Sequence, residues 1–171
     1  MFKVYPTAKI RIDEPNLCEQ RCLMEEFNYE KAYLHSYPHQ FKHGTDGDIC
    51  DQVFIRAKKL TIGENVHIAP GVKIVGNGEV IINDGVTIAP NVVIFSSRPA
   101  LSFEYPAGNK YGEKFKQLTG RIVIGANTFI GAGAVVGVNE KGEDLLINPG
   151  TVIRALHYFD GHSPMRNPLA K

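Results

Sequence analysis

His67 is the residue of this 171-residue chain with the best chemistry for proton transfer. It lies in the segment Asn65-Val66-His67-Ile68, inside a series of short aliphatic units. An imidazole titrates near neutral pH, so it can accept a proton from a reacting group. The alternative is an outward-facing histidine at a corner of a structural repeat, with no chemistry. We predict that His67 is a catalytic base or contacts the substrate.

A second group of polar residues opens a long insertion that spans residues 98–119. Such an insertion is far longer than the usual connection between elements, and loops of this length are most often functional or disordered. Arg98 is suited to binding a phosphate or carboxylate group, because a guanidinium forms paired hydrogen bonds with either. The alternative is a solvated arginine on a mobile loop. The residues predicted to contact the substrate are Ser96, Ser97, Arg98 and Tyr105.

Histidines and cysteines near the N-terminus give a weak indication of a metal site. His35, His39 and His43 are four residues apart, but Pro38 would interrupt the helix needed to align them. Cys18 and Cys22 have no second pair at the spacing of a structural zinc site. We therefore expect no metal.

The elements that position these residues are indicated by a six-residue repeat of aliphatic side chains. This period fits neither a 3.6-residue helix nor an alternating strand, but it fits short strands separated by tight corners. The repeat is interrupted only after every third unit, so one corner of a three-sided prism carries all the insertions. The repeated positions are Ile49, Ile55, Ile62, Ile68, Ile74, Ile82, Ile88, Ile94, Ile124, Ile130, Val136, Ile147 and Ile153.

This pattern predicts which residues stack on neighbouring coils. One face should carry Ile62, Ile82, Ile124 and Ile147, and the next face Ile68, Ile88, Ile130 and Ile153. In the same register His67 should lie beside Thr87 and Phe129. The alternative is an antiparallel sandwich, which would show turn signals every 8–12 residues and no such stacking.

The rest of the chain is predicted to flank this prism. Residues 1–45 form a cap with a helix over Asn16–Ser36, residues 46–156 the prism, and residues 157–171 a non-repeating tail. Asn16 and Glu19 resemble a helix capping box. A helical cap would cover the open edge of the first coil.

Composition excludes several classes of protein. Nineteen Lys and Arg residues against 18 Asp and Glu residues leave a net charge of +1, with no basic patch for nucleic acid. Hydrophobic residues make up 43% of the chain, which argues against disorder, and no apolar run is long enough to span a membrane. Three cysteines give no disulfide framework, so we expect a cytoplasmic protein.

The units Ile82–Val93 (INDGVTIAPNVV) and Ile124–Val136 (IGANTFIGAGAVV) resemble those of the hexapeptide-repeat acyltransferases. Within that superfamily the chain is most similar to the galactoside and maltose acetyltransferases, from about Asn65 to Val136. The resemblance implies a left-handed parallel β-helix and a homotrimer, with acetyl-CoA in the groove between prisms and a sugar as acceptor. It further implies that Phe129 occupies the place of an active-site Trp. The residues it implies for the cofactor are Ala132, Gly133, Thr151 and Arg154.

The sequence departs from that group at two positions. Arg98 stands where galactoside acetyltransferases carry their general-base histidine, and an arginine cannot accept a proton. Gly71 stands where they have an active-site asparagine. We therefore expect an acetyl-CoA-dependent O- or N-acetyltransferase acting on a cell-surface or nucleotide-linked sugar, with an amino acceptor favoured if His67 is not the base. The alternative is a non-catalytic trimer that acts as a scaffold or binding module. A γ-class carbonic anhydrase is disfavoured, because His67 is the only histidine inside a repeat unit.

Overall fold

A computed structural model of the chain describes residues 2–5, 9–12, 34–35, 41–99 and 117–161. These residues form short strands and no helix. In chain order the strands are β1 (Phe2–Val4), β2 (Lys9–Ile12), β3 (Leu34–His35), β4 (Phe41–Lys42), β5 (Gly47–Ile49), β6 (Phe54–Ala57), β7 (Lys59–Ile62), β8 (Val66–Ile68), β9 (Lys73–Val75), β10 (Glu79–Ile82), β11 (Thr87–Ile88), β12 (Val93–Phe95), β13 (Ser97–Pro99), β14 (Gln117–Thr119), β15 (Ile122–Ile124), β16 (Phe129–Ile130), β17 (Val135–Gly137), β18 (Leu145–Ile147), β19 (Val152–Ile153) and β20 (Tyr158–Phe159).

The strands build three parallel sheets that the chain visits in turn. The first sheet has the order β1-β5-β8-β11-β16-β19, the second β20-β17-β12-β9-β6-β2-β3, and the third β18-β15-β10-β7-β4. From β4 onward, each strand of the third sheet is followed by one of the first sheet and then one of the second. The molecule is therefore an all-β parallel β-solenoid, as predicted, and it is consistent with the left-handed winding that the resemblance implied. The antiparallel sandwich is excluded.

The predicted aliphatic stacks are confirmed. Ile82 pairs with Ile62 on one side and Ile124 on the other, and Ile124 pairs with Ile147. On the next face Ile88 lies between Ile68 and Ile130, and Ile130 pairs with Ile153. These isoleucines are at most 4% exposed. Since each coil buries its side chains only against neighbouring coils, this continuous stack is the core of the molecule.

All the predicted interruptions leave the solenoid at one corner. The connections β6 to β7, β9 to β10, β12 to β15 and β17 to β18 each join the second sheet to the third. The long insertion begins and ends in the antiparallel pair β13 and β14 at this corner. Packing there is close, because a Cβ on Gly78 would lie 2.1 Å from the carbonyl oxygen of Gly120.

The predicted N-terminal cap needs correction where the structure describes it. Strands β1, β2 and β4 each continue one of the three sheets, so the solenoid begins near Phe2 rather than at residue 46. The chain between β2 and β4 is much longer than one repeat unit, so the six-residue spacing is interrupted there. The strands nevertheless still pair with those of the next coil. Most of the predicted helix falls in residues 13–33, outside the described residues, but its last part is strand β3.

The predicted C-terminal boundary also moves. Strand β20 pairs in parallel with β17 and buries Phe159, so the solenoid continues past residue 156. Residues 162–171 of the predicted tail lie outside the described residues.

Candidate active site

The first sheet carries a row of outward-facing side chains that contains His67. Because side chains alternate across a strand, the residue before each buried isoleucine points to solvent. Parallel pairing then aligns these positions on successive coils, and His67 lies next to Thr87, as predicted. In order, the row is Lys3, Asp48, His67, Thr87, Phe129 and Val152.

Asp48 and His67 form a hydrogen-bonded pair across two neighbouring strands. His67 Nδ1 lies 2.7 Å from Asp48 Oδ1. The His67 side chain is 44% exposed and the Asp48 side chain is 30% exposed. An ionised carboxylate only accepts hydrogen bonds, so with Asp48 ionised the proton of the neutral imidazole is on Nδ1. The lone pair is then on Nε2. This arrangement gives His67 the tautomer that a general base requires.

Cys50 lies beside this pair without being a candidate nucleophile. Its Sγ donates a weak hydrogen bond to Asp48 Oδ2 at 3.5 Å. Partial burial, together with the charge of Asp48, raises the pKa of the Cys50 thiol from 9.0 to about 11. The thiolate is the reactive form of cysteine, so Cys50 is inert at neutral pH.

The raised pKa of the Cys50 thiol predicts how its rate of alkylation depends on pH. The rate of modification by iodoacetamide, followed by peptide mass mapping of the folded protein, should rise as pH approaches about 11. In the unfolded chain the same rate should rise near pH 9. A folded-state rate that levels off below pH 9 would contradict the assigned environment of Cys50.

Sequence reasoning missed Asp48 and Cys50. Both lie one coil away from His67. Extending the predicted stack from Ile68 back to Ile49, its observed partner, would have placed Asp48 beside His67. The ligand atoms of Asp48, Cys50 and His67 lie within 4.8 Å of one another, the only such group of three among the described residues. The expectation of no metal therefore stays a prediction, with this cluster as the place to test it.

The residues that open the long insertion do not all face the same space. Ser96 is fully buried, and its Oγ accepts a hydrogen bond from the backbone N–H of Gly78 at 3.0 Å. Its hydroxyl faces the packed corner and cannot reach a substrate in this structure, so the prediction for Ser96 needs correction. Ser97 and Arg98 are half-buried and line an open cavity of about 560 Å³. Tyr105 lies outside the described residues.

Three of the four predicted cofactor residues lie close together. Ala132, Gly133 and Arg154 occupy the corner between the first and second sheets on two adjacent coils. The N–H of Leu156 donates to the Ala132 carbonyl at 2.9 Å, and a Cβ on Gly133 would lie 2.8 Å from Leu156 Cδ2. Thr151 is buried and lies at a different corner, between the third and first sheets, so the structure does not bring it to the other three.

Fold and site together define a parallel β-solenoid with an acid–base pair on one outer face. In the part of the chain that the structure describes, no helical segment has the length and hydrophobicity needed to cross a bilayer. No family model matches the chain.

Two kinds of similarity connect this solenoid to known proteins. The chain is 30% identical, over 98 residues, to the dTDP-4-amino-4,6-dideoxy-D-glucose acyltransferase of Escherichia coli. The match covers 57% of this chain and 48% of that protein, so the chain spans about half the length of this relative.

Two solved structures that resemble the chain are point mutants of AntD, an N-acyltransferase from Bacillus cereus, in complex with dTDP and coenzyme A. One mutant has a TM-score of 0.62 at 16% identity, covering 94% of this chain and 74% of AntD. A second mutant has a TM-score of 0.57 at 18% identity, covering 72% of this chain and 66% of AntD. At this identity the likeness establishes the shared fold. The closer similarity to galactoside and maltose acetyltransferases stays a prediction.

Proposed function

We propose that this protein is an acyltransferase that moves an acyl group, acetyl in our expectation, from coenzyme A to the amino group of a nucleotide-linked sugar. The observation that carries the proposal is the Asp48–His67 pair, which presents a proton acceptor on an outer face of the solenoid. The relative from Escherichia coli is named for an amino sugar linked to dTDP, and AntD was solved with dTDP and coenzyme A. The amino sugar in the name of the first protein and the N-acyltransferase activity of AntD favour an amine over a hydroxyl as acceptor.

The reaction follows from ordinary amide chemistry. The neutral amine of the sugar attacks the thioester carbonyl carbon, a C–N bond forms, and the C–S bond to coenzyme A breaks. The nitrogen must lose one proton, which His67 Nε2 accepts, while Asp48 stabilises the resulting imidazolium. The same proton can then pass to the departing sulfur, which leaves as the thiol.

The remaining predicted residues divide between the two substrates. Ser97, Arg98 and Phe129 are proposed to contact the acceptor, with Tyr105 from the insertion. Ala132, Gly133 and Arg154 are proposed to contact coenzyme A at their shared corner. The active form is proposed to be a homotrimer, with a solution mass three times the 18.9 kDa of one chain.

The other candidate is a non-catalytic scaffold or binding module, favoured by the absence of a histidine at position 98. A thermal-shift experiment with acetyl-CoA separates the two. A ligand at 100 times its dissociation constant adds about 2.7 kcal/mol of stability. An increase in melting temperature at millimolar acetyl-CoA supports the acyltransferase, and an unchanged melting temperature supports the scaffold.

Replacing Asp48 tests how His67 is positioned. Asp48→Asn removes the charge that fixes the tautomer and stabilises the imidazolium. A hydrogen bond to a charged group contributes about 1.5–3 kcal/mol, so kcat should fall about 10- to 100-fold with KM nearly unchanged. Steady-state kinetics with acetyl-CoA and a dTDP-linked amino sugar measure both constants.

The matched control is Asp144→Asn. Asp144 is an exposed aspartate paired with Arg121 at the insertion corner, away from the first sheet. Its replacement removes the same charge and should leave kcat unchanged. Equal losses in the two variants would argue against a positioning role for Asp48.

A further inference from the structure

The outer face of the second sheet carries an aromatic surface beside the long insertion. Phe95 ends β12, and its register partner on the next strand is Gly137. A Cβ at Gly137 would lie 2.1–2.4 Å from three carbons of the Phe95 ring. The ring therefore lies flat over the backbone of β17, and only a glycine leaves room for it.

Tyr158 extends this surface onto a third strand. It lies on β20, which pairs with β17, and its ring is stacked with that of Phe95 at a centroid distance of 6.4 Å and an interplanar angle of 29°. Tyr158 is 42% exposed. We call Phe95 and Tyr158 the aromatic platform. The face of an aromatic ring in such a surface is suited to stacking against a flat aromatic ligand.

The platform forms one wall of the cavity of about 560 Å³ that Ser97, Arg98 and Pro99 complete. The cavity is wide open to solvent, so a small organic ligand can lie along its aromatic wall. Among the described residues that line the cavity, Arg98 is the only charged one, and none of the described residues forms an ion pair with it. A guanidinium placed in this way beside an aromatic surface can bind an anionic group attached to a ring.

We propose that this cavity binds a nucleoside diphosphate, with the base stacked on the aromatic platform and the phosphates paired with Arg98. This inference rests on the proposed function and deepens it, because both proposed substrates contain such a group. One source is the nucleotide of the sugar acceptor, and the other is the adenosine half of coenzyme A. The site lies on a different sheet from the Asp48–His67 pair, so it holds a substrate at a distance from the reacting atoms.

The experiment is isothermal titration calorimetry of the full chain with dTDP and, separately, with ADP, the nucleoside diphosphate that coenzyme A contains. Phe95→Ala, Arg98→Ala and Gly137→Ala should each weaken the binding of one of these nucleotides at least tenfold. The nucleotide that is affected identifies the source. Gly137→Ala is informative because it keeps both rings and the arginine but displaces Phe95. Phe95→Tyr should keep the affinity, because the ring remains.

The matched control is Phe54→Ala. Phe54 is a 38% exposed aromatic residue on the same sheet, outside the cavity, and its removal should leave both affinities unchanged. Unchanged affinities for both nucleotides in Phe95→Ala and Arg98→Ala would overturn the inference, while continued acyl transfer would leave the proposed function standing. Wild-type protein that binds neither nucleotide would overturn both. A Phe95→Ala variant that changes only the oligomeric mass would overturn the inference as well and make this face a subunit contact instead.

Discussion

Replacing His67 with asparagine should lower kcat/KM for acyl transfer by about 10²–10⁴-fold, the usual contribution of a general base. Asparagine has a similar size and can still donate to Asp48, but it cannot accept the proton from the attacking amine. His67 is nearly half exposed, so the substitution should leave the fold intact. Kinetics with acetyl-CoA and a dTDP-linked amino sugar, alongside thermal melts of both proteins, measure the effect.

His43 provides the control for this variant. It is an exposed histidine whose Nδ1 lies near the carbonyl of Gly44, outside the outward row of the first sheet. His43→Asn should retain wild-type kinetics. Activity of His67→Asn within threefold of the wild type, with the fold retained, would show that the amine loses its proton elsewhere.

The second large effect is expected in the core. Ile88 is fully buried between Ile68 and Ile130, near the centre of the first sheet. Ile88→Ala removes buried methyl groups and leaves a cavity that rigid neighbouring coils cannot close. The free energy of unfolding should fall by about 2–5 kcal/mol, measured by urea denaturation.

Val152→Ala is the matched control on the same sheet. Val152 is 48% exposed on the outer face, so its truncation should change the free energy of unfolding by about 0.5 kcal/mol or less. Losses of similar size at the two positions would contradict the assignment of Ile88 to the core and of Val152 to the surface.

The fold was predictable because every coil buries aliphatic side chains at equivalent positions. An aliphatic side chain must face the axis once in each short strand, so Ile62, Ile82, Ile124 and Ile147 could be placed in register from spacing alone. The N-terminal strands were not predicted because a long segment separates β2 from β4 and interrupts the six-residue period. Pairing between backbones, which leaves little trace in sequence, continues the sheets there.

The site was predictable only in part. His67 stood out by its chemistry and its register, whereas Asp48 acquires its role from a neighbour on the next coil. Ser96 was misassigned because alternation turns it inward, directly after the outward-facing Phe95. The aromatic platform depends on Gly137, a strand glycine that no pattern in the sequence singled out and that leaves space for the Phe95 ring.

The proposed reaction forms an amide bond on a nucleotide-linked amino sugar. It can be followed by mass spectrometry of the products after the wild-type chain is incubated with isotope-labelled acetyl-CoA and equal amounts of amino and hydroxyl sugar nucleotides. We expect the label on the sugar nitrogen, with one free thiol released for each acyl group transferred. Label found on hydroxyl groups alone, or no transfer from acetyl-CoA to any acceptor, would contradict it.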